Sequence, residues 1–430
     1  MVNLLRLDNE SDLSSIKDEV CFSVVVQADQ KLHAYNQCID DNDNPISLVY
    51  FYFPRIGQEF LVGVDIVDMD SFTIDYIKDI LSQNKSICYN SKVLFDKSII
   101  DYEVLYWVHN FERLEFYEFE SKINWYYYTH KDLNRLNIHI PLMVLLEYCR
   151  NIRRHYNGYM NLKVTKTVKF YNYAFHEFNR IEKNGINLCM ANENRIVYSQ
   201  YNFFTSTGRP SNAFNNVNFA AINKKTGVRK YFTSRYENGR LVEFDYKSFH
   251  LHLLADVIGY KFPEKDVHTY LGKLYFNVEE LTDDQYEQSK NITFKNLYGE
   301  VADEYKDLEF FQKINKFSED LYDSYLKNGY VESRYSKLKI KNIHEPNKLK
   351  LLSYYTQNLE TEFNIQNLKK INDFIEGRNI QLILYTYDSF LFDCMNYDGV
   401  EEDLHYIYSI LEMNRFPVKV KRGSNYHNLK

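Results

Sequence analysis

Two aspartates in the second half of the chain each stand at the end of an apolar segment. Asp388 lies at the bend of residues 381–393 (QLILYTYDSFLFD), where apolar and aromatic residues on both sides predict a buried hairpin. Asp245 closes residues 240–246 (RLVEFDY), which are typical of a strand. An ionised carboxylate beside apolar strands is costly unless a cation or several donors compensate it. Both are therefore candidate cation ligands, while Asp388 also fits a turn aspartate that bonds to its own backbone.

Two such carboxylates would repel each other at short distance unless divalent cations lay between them. Two-metal phosphoryl transfer requires that arrangement. Magnesium suits an all-oxygen site that must also bind substrate phosphates, with Mn²⁺ as an alternative. The sequence leaves the distance between Asp245 and Asp388 open, so their convergence is a hypothesis.

A third candidate is a helix with a clear start. Residues 282–285 (TDDQ) fit the capping-box pattern, so a helix should run to about residue 297 and stop at Gly299. Lys290, Phe294 and Tyr298 then share one face. That face suits a nucleoside triphosphate, because the ammonium can meet phosphates and the rings can meet sugar and base. The alternative is a core stripe with a lysine that reaches out to solvent.

The elements that must position these residues belong to an ordered globular chain. Its 430 residues allow two or three domains, and only 14 Gly and 7 Pro argue against long disordered regions. The six cysteines form no CxxC or Cys/His cluster, so neither a zinc site nor a disulfide framework is predicted. Without a run of about 18 apolar residues, we expect an intracellular protein that does not enter the membrane. The net charge of −7 means that DNA contacts must come from local patches.

The first part of the chain predicts an α/β unit. The predicted strands are residues 19–27, 46–53 and 59–65, and the predicted helices are residues 71–83, a basic helix that starts at Pro141, and residues 170–183. The composition becomes aromatic and charged after His109, which indicates a domain boundary between residues 105 and 130.

Three segments, FDYKSFHLHLLA, SKNITFKNLYG and YTYDSFLF, carry the candidate residues in that order. They resemble the three polymerase motifs of family A DNA polymerases, the family of bacterial DNA polymerase I. Four further segments also occur in the family's order: TGRPSNAFNNVN resembles its TGR segment, DVH at 266–268 resembles its DIH element, Gln357 stands where it keeps a glutamine, and GSNY at 423–426 matches its terminal G-x-N-[WY]. Together the seven segments are a specific signal, although each is weak alone.

The resemblance implies a multidomain α/β and α+β fold, the right-hand polymerase with palm, fingers and a reduced thumb. An exonuclease-like α/β domain would precede the hand. The implied domains are 1–115 (degenerate 3′–5′ exonuclease-like), 116–200 (linker and reduced thumb), 201–258 (palm, first part), 259–335 (fingers) and 336–430 (palm, second part).

The resemblance also implies roles for individual residues. Asp245, Asp388 and the backbone carbonyl of Tyr246 would bind two Mg²⁺ ions. Asp245, Asp388 and Lys290 would be catalytic. The implied nucleotide-binding residues are His250, His268, Lys290, Phe294 and Tyr298, and those implied for primer–template binding are Arg209, Asn218 and Gln357.

The implied activity is template-directed DNA synthesis, in which a primer 3′ end is extended with dNTPs by two-metal nucleotidyl transfer. The implied partners are primer–template DNA, dNTPs and processivity or other replication proteins. We expect a monomer without a membrane partner. The low Gly and Pro content and the abundance of residues whose codons are rich in A and T (Lys, Asn, Ile, Phe and Tyr) favour a virus or phage as the source, and hence the host cytoplasm.

The chain departs from the family pattern at several positions. They are Tyr286 for an arginine, Leu349 and Ser353 for an arginine and an asparagine, Tyr387 for a histidine, Ser389 for a glutamate, and His250 for the glutamate that blocks a ribose 2′ hydroxyl. His250 predicts weaker sugar discrimination, because a histidine can donate as readily as accept a hydrogen bond. His250 and Ser389 leave a single-subunit RNA polymerase-like enzyme, or a polymerase of low sugar selectivity, as an alternative. An inactive DNA-binding replication scaffold is a further alternative.

The N-terminal unit resembles the family's proofreading exonuclease in one element only. Residues 90–92 and 95–96 are similar to a stretched N-x-K-[FY]-D element, but the first strand, FSVVV at 22–26, lacks the D-x-E pair that binds metal. We therefore expect no proofreading. The alternative is an unrelated small α/β domain.

Overall fold

The computed structural model describes residues 4–5, 17–27, 46–63, 85–89, 91–94, 99–114, 139–160, 162–190, 193–214, 217–413 and 415–430. The chain divides into two compact units, Met1–Lys183 (unit 1) and Asn184–Lys430 (unit 2). Among the helices described, none has both the length and the apolar character needed to cross a membrane.

Unit 1 contains a mixed sheet. Its described strands are β1 (Leu4–Leu5), β2 (Val20–Gln27), β3 (Ile46–Phe53), β4 (Gln58–Gly63), β5 (Lys85–Tyr89) and β6 (Ile100–Asp101). They are ordered β1-β4-β3-β2-β5-β6, with β2, β3 and β4 antiparallel and β5 and β6 added in parallel beside β2. The three predicted strands are confirmed, with ends shifted by no more than two residues. The helix predicted at 71–83 lies outside the described residues.

Three helices of unit 1 are described: α1 (Tyr102–Asn110), α2 (His139–Tyr159) and α3 (Leu162–Asn184). The Asp101 carboxylate caps α1 by accepting from the backbone N–H groups of Glu103 and Val104. Helix α3 begins eight residues before the predicted start at residue 170. Its early turns are rich in lysine and threonine, which hide the apolar face that buries Val168.

The N-x-K resemblance in unit 1 falls on a buried ion pair. Lys92 Nζ lies 2.5 Å from Glu182 Oε2, and the side chains are 11% and 0% exposed. Strand β2, VCFSVVVQ, contains no aspartate or glutamate. Asn90, Phe95 and Asp96 lie outside the part of the chain that the structure describes, so the exonuclease origin of this unit stays a prediction.

Unit 2 is organised around a four-stranded antiparallel sheet. The strands of this unit are β7 (Ile186–Met190), β8 (Glu193–Val197), β9 (Tyr201–Asn202), β10 (Ser211–Phe214), β11 (Val217–Asn218), β12 (Arg240–Tyr246), β13 (Val331–Glu332), β14 (Lys339–Ile340), β15 (Ile380–Thr386), β16 (Ser389–Cys394) and β17 (Val418–Gly423). The central sheet has the order β15-β16-β12-β17. The β15–β16 pair is the predicted hairpin, and all six residues of β16 are buried.

Helices surround that sheet. They are α4 (Phe249–Ile258), α5 (Val267–Phe276), α6 (Asp283–Tyr298), α7 (Glu309–Asn328), α8 (Lys348–Ile375) and α9 (Val400–Glu412). Helix α8 packs against α4, α6, α7, α9 and β15. It buries apolar residues such as Leu352 and Phe363 together with polar residues, among them Glu360 and Asn364. A helix buried on several sides must satisfy these polar groups inside the protein.

Candidate active site

The structure brings Asp245 and Asp388 to neighbouring positions on adjacent strands. Strand β12 pairs with β16 so that Asp245 is opposite Ser389, and the Tyr246 N–H donates to the Asp388 carbonyl over 2.9 Å. Both acids therefore stand at the same end of the sheet. The convergence that the sequence left open is confirmed, while the metal-binding role of the two residues stays a prediction.

The bend that presents Asp388 has an unusual backbone. Tyr387 has a φ of 64°, in the left-handed region that costs free energy for a residue with a side chain. The Asn364 side chain on α8 donates to the Tyr387 carbonyl over 2.7 Å. This bond from a buried helix holds the bend in place, so α8 helps to position the acid.

Asp388 lies in a field of like charge. Partial desolvation by the surrounding protein, then the carboxylates of Glu360 and Asp245, raise its pKa to about 6. A hydrogen bond from its own backbone opposes that shift, as the turn interpretation expected, but does not offset it. The site therefore favours an added cation beside Asp388.

Asp245 already has a cation beside it. Lys421 on β17 places Nζ 2.5 Å from Asp245 Oδ2 and 2.7 Å from Glu243 Oε2. Glu243 and Asp245 lie on one face of β12, two residues apart, as strand alternation requires. The sequence predicted a cation beside Asp388, whereas the lysine found here lies beside Asp245, the other acid of the pair.

The donors present fit a hard divalent cation. Within the described residues, no three His, Cys, Asp or Glu side chains form a metal-binding group. A metal here would rest on the Asp245 and Asp388 carboxylates, a backbone carbonyl and oxygens of substrate or water. Such a set with few protein ligands is typical of Mg²⁺ at phosphate-transfer sites.

Helix α6 has the predicted start. The Thr282 hydroxyl accepts from the Gln285 N–H over 3.2 Å, and the Gln285 side chain accepts from the Thr282 N–H over 2.9 Å. Phe294 is 39% exposed and its ring is parallel to that of Tyr298, with the centroids 6.4 Å apart. The buried residues of α6 lie elsewhere on the helix: Ser289, Thr293, Asn296 and Leu297. Phe294 is therefore exposed between the half-buried Lys290 and Tyr298, which is evidence against the core-stripe alternative.

His268 lies beside this face because α5 packs against α6. Its ring is 5.6 Å from that of Phe294, and burial lowers its pKa to about 4 despite the nearby Asp266 carboxylate. Tyr286, which replaces the family's arginine, donates its hydroxyl to Asp266 Oδ2 over 3.1 Å. Lys290 Nζ lies 4.4 Å from the centre of the Tyr286 ring. The missing arginine is thus replaced by a residue that tethers the two helices.

His250 connects α6 to α8. Its Nδ1 is hydrogen-bonded to the Tyr298 hydroxyl, and its Nε2 lies 3.2 Å from Glu360 Oε1. The other oxygen of Glu360 lies 2.9 Å from Arg209 Nε. The Arg209 guanidinium in turn lies 3.7 Å from the centre of the Tyr387 ring, next to Asp388. One buried glutamate thus faces two of the predicted site residues.

The other predicted DNA contacts are divided between two places. Gln357, one turn before Glu360 on α8, accepts from the Thr207 hydroxyl over 3.4 Å, so it lies close to the TGR segment. Asn218 is exposed at the end of β11, where its side chain accepts from the Ala220 N–H. The structure therefore brings Arg209 and Gln357 to one helix and places Asn218 on a separate hairpin.

Sequence reasoning missed Glu360 and Lys421. A signal for Glu360 was present, because the polar residues Gln357, Glu360, Asn364 and Asn367 recur at helical spacing. Lys421 had no comparable signal. Its partnership with Asp245 depends on which strand pairs with β12.

Comparisons with known proteins establish the fold. No family model and no curated protein sequence matches the chain. Among solved structures, it is similar to the POL domain of Pol1 from M. smegmatis, which was solved in complex with DNA primer-template and dNTP. The two share 12% sequence identity with a TM-score of 0.72, and the match covers 97% of each chain. The mixed α/β multidomain polymerase fold predicted from the family A resemblance is therefore confirmed.

Proposed function

We propose that the chain is a template-directed DNA polymerase that extends a primer 3′ end with dNTPs by two-metal nucleotidyl transfer. The observation that carries the proposal is the pairing of β12 with β16, which sets Asp245 and Asp388 side by side. A polymerase fold and the Lys290, Phe294 and Tyr298 face add support. The similar structure was solved with primer-template DNA and dNTP, the substrates proposed here.

Asp245, Asp388 and the carbonyl of Tyr246 would hold two Mg²⁺ ions. When bound, the metal ions supply Lewis acidity at the primer hydroxyl and the α-phosphate. Lys421 must release Asp245 for that role. It can do so at small cost, since Glu243 remains a carboxylate partner 2.7 Å away.

The α6 face would bind the incoming nucleotide. Lys290 places a positive charge for the phosphates, and its present partner Glu287 is 68% exposed, so that ion pair is easily exchanged. His268 adds a neutral ring with a hydrogen-bond donor. Phe294 would contact the sugar, and Tyr298 would close on the nascent base pair, with both rings oriented parallel.

Arg209, Asn218 and Gln357 would contact the primer–template. The minor groove presents acceptors in a nearly sequence-independent pattern, which polar side chains can check without selecting a sequence. On this proposal residues 201–258 and 336–430 form the palm, 259–335 the fingers and 116–200 a reduced thumb, so processivity would depend on a replication partner.

Absence of proofreading is part of the proposal. Strand β2 lacks an aspartate or glutamate, and Lys92 of the N-x-K element is engaged in a buried ion pair with Glu182. A mismatched primer incubated with Mg²⁺ and no nucleotide should stay intact. Rapid 3′ shortening of that primer would contradict this part.

Primer extension by the wild type and by Asp388→Ala tests the central assignment. Removing a metal-binding carboxylate should lower the rate by about 10³-fold or more, because each such contact is worth several kcal/mol in the transition state. Asp320→Ala is the matched control, since Asp320 is an exposed acid paired with Lys316 on α7. Equal extension by Asp388→Ala and wild type would remove the catalytic role. No extension by the wild type would leave a DNA-binding scaffold.

A polymerase of low sugar selectivity is the second candidate, favoured by His250 in place of a blocking glutamate. Ser389, the residue after Asp388, says less about sugar selectivity. Its hydroxyl is hydrogen-bonded to the Thr386 hydroxyl over 2.7 Å and closes the hairpin. Competing dNTP against NTP on one template separates the candidates. We expect deoxynucleotides to be favoured by a reduced margin, and equal incorporation would establish the second candidate.

A further inference from the structure

Glu360 is a buried acid in the middle of α8. Its side chain is 2% exposed. Its two oxygens face different partners: Oε1 faces His250 Nε2 at 3.2 Å and Oε2 faces Arg209 Nε at 2.9 Å. A carboxylate buried to this extent is costly unless cations and donors compensate it. Its position between Arg209 and His250 therefore indicates a functional role for the acid.

The partners of Glu360 are themselves held in place. Arg209 is fixed between the carboxylate and the Tyr387 ring, 3.7 Å from its guanidinium. Arg209 thus lies against Oε2 of Glu360, while Oε1 of the same carboxylate lies against His250. The 3.2 Å contact between Oε1 and Nε2 is an electrostatic one without hydrogen-bond geometry, and it favours the ring orientation in which Nε2 faces the acid.

His250 consequently has a polar neighbour at each ring nitrogen. Nε2 faces Glu360, while Nδ1 is hydrogen-bonded to the hydroxyl of Tyr298 on α6. Burial raises the pKa of Tyr298, so this hydroxyl keeps its proton and can donate to Nδ1. A hydroxyl that donates to Nδ1 favours the tautomer with the proton on Nε2, and the carboxylate beside Nε2 favours the same tautomer electrostatically. The imidazole is therefore a rigid wall beside the proposed nucleotide face.

We propose that Glu360 is a positioning residue for sugar selection, holding the His250 ring where the 2′ carbon of the incoming nucleotide would lie. This inference rests on the proposed polymerase function. The selecting device is a carboxylate from α8 that acts through a histidine from α4. A fixed ring excludes a 2′ hydroxyl, whereas a ring free to rotate would make room for it or form a hydrogen bond with it.

Single-nucleotide insertion by Glu360→Gln tests the role. The amide keeps the shape but weakens the charged contact to His250, so the ratio of kcat/KM for dNTP over NTP should fall about tenfold, mainly through a lower KM for the NTP. Glu362→Gln is the matched control. It removes a buried carboxylate from the same helix, but one that binds the Tyr335 and Ser336 N–H groups. Its discrimination ratio should match the wild type.

A compensating variant makes the test independent of the stability of Glu360→Gln. His250→Glu alone sets two carboxylates against each other and should insert dNTP poorly. Combined with Glu360→Gln, it leaves one carboxylate beside Arg209, and both insertion and discrimination should recover. Equal behaviour of His250→Glu and the double variant would overturn the inference.

The ring of His250 gives a readout that a merely structural role would not change. Its ¹⁵N chemical shifts should report one tautomer in the wild type and averaged tautomers in Glu360→Gln. Unchanged shifts with an unchanged discrimination ratio, in an enzyme that still extends primers, would reject the role of Glu360 and leave the polymerase assignment intact. A wild type that extends no primer would instead reject the proposed function.

Discussion

Units 1 and 2 each contain a lysine held by carboxylate at about 2.5 Å, and the surroundings of the two differ. Lys92 and Glu182 in unit 1 are 11% and 0% exposed, so both charges are shut off from solvent. Separating such a pair takes the nearest opposite charge away from a buried group, which costs several kcal/mol. This pair can only be structural.

Lys421 in unit 2 has the same short contact but a different setting. Its partner Asp245 is 30% exposed, and a second carboxylate, Glu243, lies on the same side of β12. Lys421 can therefore leave Asp245 and still keep its ion pair with Glu243. The two lysines therefore differ in their surroundings rather than in the length of the contact. An ion pair can exchange its lysine for another cation where the carboxylate is reached by solvent and the lysine has a second carboxylate partner.

The largest effect that we expect concerns the buried ion pair of Lys92 and Glu182. Lys92→Met should lower the unfolding free energy of unit 1 by about 3–5 kcal/mol, because the buried Glu182 carboxylate would lose the ammonium that lies against it. Urea unfolding followed by tryptophan fluorescence measures this, since both tryptophans, Trp107 and Trp125, belong to unit 1.

Arg55→Met is the control for that measurement. The Arg55 side chain is 82% exposed in its pair with Glu19, so its loss should cost less than about 1 kcal/mol. Equal losses for the two variants would mean that burial does not separate structural from exchangeable pairs here.

Local features of the site could be predicted from the sequence. The β15–β16 hairpin and the capped start of α6 depend on residues within a few positions of each other, so their patterns are complete in the sequence. The shared face of Lys290, Phe294 and Tyr298 follows from helical spacing alone, whereas the exposure of Phe294 on it does not. These are the parts in which sequence and structure agree to within a residue or two.

Pairings between distant segments could not be predicted in the same way. Lys421 meets Asp245 across 176 positions, and Glu360 meets Arg209 across 151, as the residue numbers show. No local pattern reports which strand lies beside β12 or which side of α8 faces the TGR segment. The resemblance supplied the order of the motifs, but these contacts involve residues outside the positions it matched.

His268 is a buried group whose pKa is lowered by desolvation more than it is raised by the nearby Asp266 carboxylate. Its folded-state pKa of about 4 lies below the ordinary value of 6.5. The folded state therefore binds fewer protons than the unfolded state, and stability that is complete above pH 6.5 is lost as the pH falls toward 4. His268→Gln should remove on the order of 2–3 kcal/mol of the stability loss between pH 7 and pH 4.5. Urea unfolding followed by circular dichroism at both pH values measures it, and an unchanged loss would contradict the shift.

Lys421→Met tests the exchangeable pair directly. If Lys421 competes with Mg²⁺ for Asp245, its removal should tighten Mg²⁺ binding by about tenfold, equivalent to about 1.4 kcal/mol of competition. Isothermal titration calorimetry on the protein without DNA measures this independently of activity. The thermal stability should also fall, because Lys421 is only 14% exposed and Glu243, which is 6% exposed, would lose its ammonium partner. Weaker Mg²⁺ binding would show that Lys421 helps to form the metal site and does not compete with Mg²⁺ for Asp245.

The smallest effect belongs to a pair that is open on all sides. Lys316 lies 2.9 Å from Asp320 one turn along α7, with side chains 72% and 57% exposed. Solvent screens such a pair and each long side chain loses freedom by forming it, so Lys316→Met should change the unfolding free energy by no more than about 0.5 kcal/mol. It should also leave Mg²⁺ binding at the wild-type value, which makes it the charge-matched control for Lys421→Met. A shift in Mg²⁺ affinity as large as that of Lys421→Met would mean that net charge, rather than contact with Asp245, sets the affinity of the site.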